Sequence, residues 1–378
     1  MHERGLCLVS VMCALMLSAC SADELACESW HSLRAPQQIV ADVNGDSLVD
    51  VVVGDLNLDE IHVVDVNYDG NGSGDGWVAI QHQDQYPDLM GSSLPSNVFV
   101  GDVNEDGISD IIRRHVVLLS TPDLAFEELP IEHDCYILAA VLDVDEDGHL
   151  DLVCSLFEDT MVLHGDGSGA FEPRRAGGFM VPEAVVVVDA DEDGRLDLLV
   201  GEDSNELVLY RATAAGGFEE AWTHGRGTTS DLAVGDFDGD GRLDVATVQF
   251  RSRDLLRPER GPGMLRVHYG NLATGDFDEV REYRVGVDPT DLSVADLDGD
   301  GIDDIAVAHA SSDHLSLLLS RDGPRMVEME VVARAVTAVD VDGDGDADLV
   351  TSNGIEVLVF ENLGLAQFAA PRAYPLEP

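Results

Sequence analysis

Residues 236–244 read DFDGDGRLD, with carboxylates at positions 1, 3, 5 and 9: Asp236, Asp238, Asp240 and Asp244. Like charges this close repel one another, so the loop needs a compensating charge to keep its shape. The four carboxylates are read as unpaired within the loop, with Arg242 at position 7 counted for its carbonyl oxygen alone. The pattern D-x-[DN]-x-D-x-x-x-D begins again at Asp42, Asp102, Asp143, Asp189, Asp296 and Asp340. Successive starts lie 60, 41, 46, 47, 60 and 44 residues apart. A fixed motif at such spacing marks a repeat architecture.

The segments around each motif set the fold class. DLAVG precedes Asp236 and RLDVATV follows Gly241; TDLSVA precedes Asp296 and IDDIAVA follows Gly301. Short runs rich in Val, Ile and Leu favour strands over helices. A third run follows in most repeats, as in LVLYR (207–211), MLRVHYG (264–270) and IEVLVF (355–360). A turn and a segment starting near Phe come next, as in GDGSGAFEP (165–173), AAGGFEEA (214–221), ATGDFDEV (273–280) and LGLAQFAA (363–370). Four strands per repeat and seven repeats predict an all-β, seven-bladed β-propeller with calcium-binding loops in its blades. The two longest spacings are loop insertions: residues 65–77 and 82–97 in blade 1, and RSRDLLRPERGPG from Arg251 in blade 5.

The loop chemistry points to Ca²⁺, which takes six to eight oxygen ligands. Carboxylates at alternate positions of a tight turn supply them, and Gly at position 6 lets the chain turn with positive φ. The candidate ligand sets are Asp42, Asn44, Asp46 and Asp50; Asp102, Asn104, Asp106 and Asp110; Asp143, Asp145, Asp147 and Asp151; and Asp189, Asp191, Asp193 and Asp197. They continue with Asp236, Asp238, Asp240 and Asp244; Asp296, Asp298, Asp300 and Asp304; and Asp340, Asp342, Asp344 and Asp348. That is up to seven Ca²⁺ ions. The first copy has Ser47 where the others have Gly, which makes it the weakest candidate. An EF-hand would need Glu at position 12; here that position holds Val53, Arg113, Cys154, Val200, Thr247, Val307 and Thr351.

On these motifs the chain resembles the FG-GAP/VCBS repeats, similar to those of the integrin α propeller, over residues 36–375. The resemblance implies that the acidic loop joins the first and second strands of each blade and binds Ca²⁺. It also implies adhesion or ligand binding, with a protein or glycan partner. The alternatives are a polysaccharide-degrading enzyme, since some contain similar propellers, or a structural protein of envelope assembly.

Charge and leader bound the compartment and partners. The formal charge of −53 argues against nucleic acid, whose phosphates it would repel. Residues 6–17, LCLVSVMCALML, are too short for a permanent span. The LSAC at 17–20 resembles a bacterial lipobox. Residues 1–19 are thus expected to be a lipoprotein signal and 20–35 a linker, with acylated Cys20 anchoring an exported monomer to the outer membrane. Cys27, Cys135 and Cys154 remain, an odd number that leaves one thiol unpaired within a monomer. No pair is assigned, and Cys154 is read as a small core residue. G-x-S-x-G, H-E-x-x-H and Gly-rich phosphate loops are missing. His309 and His314 stand five apart, which suits no zinc helix. The blade 5 insertion concentrates Arg251, Arg253, Arg257 and Arg260 in an acidic chain, and is the candidate surface for an anionic partner.

Overall fold

Each repeat supplies Val-, Ile- and Leu-rich segments too short for helices, and the chain folds them into four-stranded antiparallel sheets. The structure is a computed structural model. It describes residues 37–46, 48–54, 60–66, 77–81, 98–133, 135, 137–156, 160–177, 182–202, 207–225, 229–249, 262–320 and 323–376. The sheets span residues 37–81, 98–130, 137–177, 182–224, 231–287, 289–330 and 335–375, hereafter blades 1 to 7. In every blade the four strands pair in sequence order. The first strands neighbour one another in chain order, and that of blade 7 (Ala335–Val339) meets that of blade 1 (Gln37–Ala41), closing the ring. This is the seven-bladed propeller that the repeat predicted.

Alternation along the strands builds the core. In Asp197–Glu202 of blade 4, Leu198 and Val200 pack toward blade 3, while Leu199 packs toward blade 5. Among the described residues there are seven buried apolar clusters, one at each interface between adjacent blades. The cluster that closes the ring joins Val51, Val53 and Val64 of blade 1 to Val350, Val357 and Val359 of blade 7. Tyr374 donates its hydroxyl to the Val66 carbonyl across the same seam, at 2.6 Å.

Side chains also stitch the inner strands together. Asp231 accepts from Leu292 N at 2.8 Å, and Asp291 accepts from Val336 N at 2.7 Å. Desolvation pushes the Asp231 carboxyl up to about 6 and raises that of Asp291 as well. Between blades 5 and 6, His309 Nε2 accepts from Gly286 N at 2.9 Å while Nδ1 donates to the His314 carbonyl at 2.9 Å. Burial lowers this imidazole to about 4, so it stays neutral as a brace.

Two sequence expectations change. Cys154 is fully buried, as a core residue would be, but it is bonded to Cys135. The last strand of blade 7 is Arg372–Pro375, beyond Pro371, while Phe368 makes only an isolated bridge to Asn362.

Candidate metal centres

All seven acidic motifs connect the first strand of a blade to the second. In an antiparallel sheet this puts them at one end of the blades, beside the turns between third and fourth strands. Position 2 anchors each loop with a buried apolar side chain: Val43, Val103, Val144, Ala190, Phe237, Leu297 and Val341.

The carboxylate at position 1 organises the turn. Asp236 Oδ2 accepts from Gly241 N at 2.9 Å and Oδ1 from Asp240 N at 3.1 Å. Asp102, Asp143, Asp189, Asp296 and Asp340 accept from positions 5 and 6 in the same way. Position 5 accepts from the position 7 amide, as Asp240 does from Arg242 N at 2.9 Å. Position 9 is buried in every copy. Its carboxylate ties the loop to the sheet. Asp244 accepts from Phe237 N at 3.2 Å and, from the end of the third strand, from Gly270 N at 2.9 Å. Asp110, Asp151, Asp197, Asp304 and Asp348 repeat both bonds. Burial pushes the Asp50 carboxyl up to about 7 and those of Asp110, Asp244 and Asp304 up to about 6. It also raises Asp151, Asp197 and Asp348. A buried carboxylate among other carboxylates is costly as an anion, and a bound cation offsets that cost.

The residues fit a hard divalent ion. Ligand oxygens of Asp143, Asp145 and Asp147 lie within 4.8 Å of one another, as do those of Asp189, Asp191 and Asp197, of Asp236, Asp238 and Asp244, and of Asp296, Asp298 and Asp300. Asp191, a member of one of these clusters, has its Oδ1 buried without a hydrogen bond. Oxygen donors at such separations suit Ca²⁺.

The glycine requirement at position 6 holds: φ is +89° at Gly107, +94° at Gly148, +93° at Gly194, +81° at Gly241, +85° at Gly301 and +96° at Gly345. Ser47 of the first loop lies outside the described residues. Position 4 is also left-handed, in Gly45, Gly239, Gly299 and Gly343 but also in Glu105, Glu146 and Glu192. A methyl group at Gly148 would meet nothing within 4 Å. Gly148→Ala should therefore pay only the backbone term, about 1 kcal/mol, in denaturant unfolding of the calcium-loaded protein. A loss of several kcal/mol would mean that this amide holds more than a turn.

The loops are not without cations of their own, contrary to the expectation from sequence. Arg242 donates Nε to Asp240 Oδ2 at 2.8 Å, and Arg195 pairs with Asp193. Both arginines pair with the position 5 carboxylate of their own loop. Arg211 differs: it comes from the third strand of blade 4, and its Nε lies 3.1 Å from Asp191 Oδ2, with NH2 donating to the Ala273 carbonyl at 2.6 Å. A fixed guanidinium thus sits against position 3 of the fourth loop. In blade 3 His164 takes the equivalent place, 3.2 Å from Asp145 Oδ2. Neither was singled out from sequence, because each lies more than twenty residues after its motif begins. The signal was available: both stand one residue before the amide that bonds position 9.

Neighbouring loops touch. Ser109 N donates to the Asp42 carbonyl at 3.2 Å, and Asp303 N to the Asp236 carbonyl at 3.0 Å. A cleft of about 170 Å³ between the fourth and fifth loops is lined by Asp189, Asp191, Glu192, Arg242 and Asn271. Cys20, Cys27, Arg251, Arg253, Arg257 and Arg260 lie outside the described residues. Arg266, at the edge of the arginine-rich stretch, pairs with Glu282 at 3.0 Å.

Comparison with known proteins agrees with this geometry. Residues 143–200 and 189–247 match the profile of the FG-GAP-like repeat family. No curated protein matches the chain. Among solved structures, a lectin from Agrocybe aegerita that recognises non-reducing terminal N-acetylglucosamine aligns with a TM-score of 0.55 at 16% identity, over 92% of this chain and 91% of that one. The WD40 domain of Pan2 from Neurospora crassa aligns at 0.45 and 12% identity, over 71% and 76% of the two chains. At 16% identity the likeness to the lectin concerns the fold alone. Residues 143–247 are an FG-GAP repeat region within a seven-bladed β-propeller whose blade loops carry acidic clusters suited to divalent cations.

Proposed function

We propose that the chain is a calcium-loaded binding module: an exported propeller, anchored to the bacterial outer membrane through lipidated Cys20, that captures a protein or glycan partner without catalysis. The observation that carries this reading is the division between its two ends. The repeated carboxylates gather at one end as cation loops, where bound Ca²⁺ would brace the ring, and none of the seven motifs lies in a connection at the other end. Loops on a rigid scaffold are where binding commonly resides. The Cys135–Cys154 disulfide supports an oxidising compartment. The lectin with a similar fold recognises a terminal sugar, and this lends weight to a glycan as one class of partner.

Arg251, Arg253, Arg257 and Arg260 stand in sequence between the second strand of blade 5 (Asp244–Gln249) and the third (Pro262–Asn271), strands whose connected ends face away from the cation loops, and this supports reading them as a surface apart from those loops. Bidentate guanidinium groups there suit an anionic partner. The test is capture on a glycan array and from envelope extracts, in Ca²⁺ and in EDTA. Calcium-dependent capture is expected, and it should weaken when the four arginines are changed to Ser. Retained capture by that variant at low and high salt would move the surface elsewhere. Turnover of a polysaccharide with no stable capture would replace a binding module by an enzyme.

A further inference from the structure

The seven loops share a backbone but not the residue that faces position 9 from the third strand. That residue stands next to the last paired residues of the second and third strands. It is Asp65, paired with Asp50, in blade 1. By the same register it is Leu119, Tyr269, Leu319 and Glu361 in blades 2, 5, 6 and 7. In blades 3 and 4 it carries nitrogen: His164 and Arg211. Arg211 has no lone pair to give an ion and can only supply charge. His164 can do otherwise.

We propose that the third loop is a mixed-ligand site for a first-row transition-metal dication, with His164 Nδ1 completing a set begun by Asp145 and Asp151. This rests on the reading of the acidic loops as cation sites and divides them by chemistry. One ligand atom each from Asp145, Asp151 and His164 falls within 4.8 Å of the others. Nδ1 is 3.2 Å from Asp145 Oδ2 and 3.3 Å from Asp151 Oδ2. Ligands bonded at about 2.0–2.2 Å around one such ion lie at comparable separations from each other.

Both ring nitrogens are buried and neither makes a hydrogen bond, so among the described residues the imidazole's only partners are the Asp145 and Asp151 carboxylates beside Nδ1, which an ion would share with it. Asp151 is already fixed, because Val144 N and Gly165 N each donate to it at 2.9 Å. An ion would therefore meet a pre-set carboxylate, and each of its oxygens retains a second lone pair. Imidazole nitrogen suits Zn²⁺, Co²⁺, Ni²⁺ or Cu²⁺, whereas Ca²⁺ takes oxygen. The all-oxygen clusters of blades 5 and 6 have no such nitrogen.

The experiment strips the full chain of metal, reloads it with excess Ca²⁺, and titrates with Co²⁺, following visible absorption and elemental content. One Co²⁺ per chain should bind in the presence of Ca²⁺. His164→Gln should weaken it by at least about tenfold, since even outer-shell partners of a metal contribute that much, while leaving bound Ca²⁺ in the other loops unchanged. Equal Co²⁺ binding by His164→Gln and wild type would overturn the proposal. So would Ca²⁺ that excludes Co²⁺ from every site, and in both cases the calcium reading survives. Failure of the wild type to bind either metal overturns both readings. Should His164→Gln not fold, anomalous diffraction from Co²⁺-loaded wild type decides. An ion bonded to His164 Nδ1 supports the site, and an ion held only by oxygens or elsewhere refutes it.

Discussion

EDTA should lower the thermal unfolding midpoint by more than ~10 °C relative to millimolar Ca²⁺, because each loop filled at a hundredfold excess over its dissociation constant adds about 2.7 kcal/mol and several loops add together. The native ring gathers the carboxylates and the unfolded chain disperses them, so the ion binds the native state selectively. Contacts between adjacent loops, such as Asp303 N to the Asp236 carbonyl, should make the loss cooperative along the ring. An unchanged midpoint, with no metal found by elemental analysis, would reduce the acidic loops to solvated turns.

The chelated protein should also depend on pH in a particular direction. The position 9 carboxyls have folded values raised by burial, to about 7 for Asp50 and about 6 for Asp110, Asp244 and Asp304. The folded state then binds more protons than the unfolded state between about pH 4 and pH 7. Stability therefore falls as pH rises through that window. Chelated protein is expected to melt higher at pH 5 than at pH 7.5. Calcium-loaded protein should show the reverse, since protonation competes with the ion. The two midpoint curves, measured side by side, check the sign.

Architecture was legible because it repeats. Seven evenly built motifs fixed the number of blades, and Val-rich runs fixed their strands. Gly at position 6 was legible because its conformation excludes side chains. What stayed hidden depends on register between distant segments. His164 and Arg211 meet their loops only when the third strand returns beside the second. Cys135 and Cys154 lie 19 residues apart, and only the fold brings their Cα atoms to 5.2 Å. The left-handed position 4 was missed because Glu105, Glu146 and Glu192 mask what Gly45, Gly239, Gly299 and Gly343 advertise.

Position 9 is where local chemistry and global fold meet, and Asp244→Ala should be among the most damaging single changes in the ring. Asp244 is 1% exposed, and its carboxylate accepts from Phe237 N within the loop and from Gly270 N at the third strand. Removing it leaves two backbone donors without their partner, at about 1–3 kcal/mol each, so ~4 kcal/mol is expected even in EDTA. Asp240→Ala makes the contrast. Asp240 is exposed and its side chain holds Arg242, so without metal its loss should cost far less than that of Asp244. With Ca²⁺ present both variants should lose the fifth site. Denaturant unfolding of both, with and without EDTA, separates the roles. If Asp244→Ala costs as little as Asp240→Ala in EDTA, position 9 is a metal ligand only. If Asp244→Ala stays costly after chelation, the carboxylate that completes the ion site is also the pin that fastens the loop to its blade.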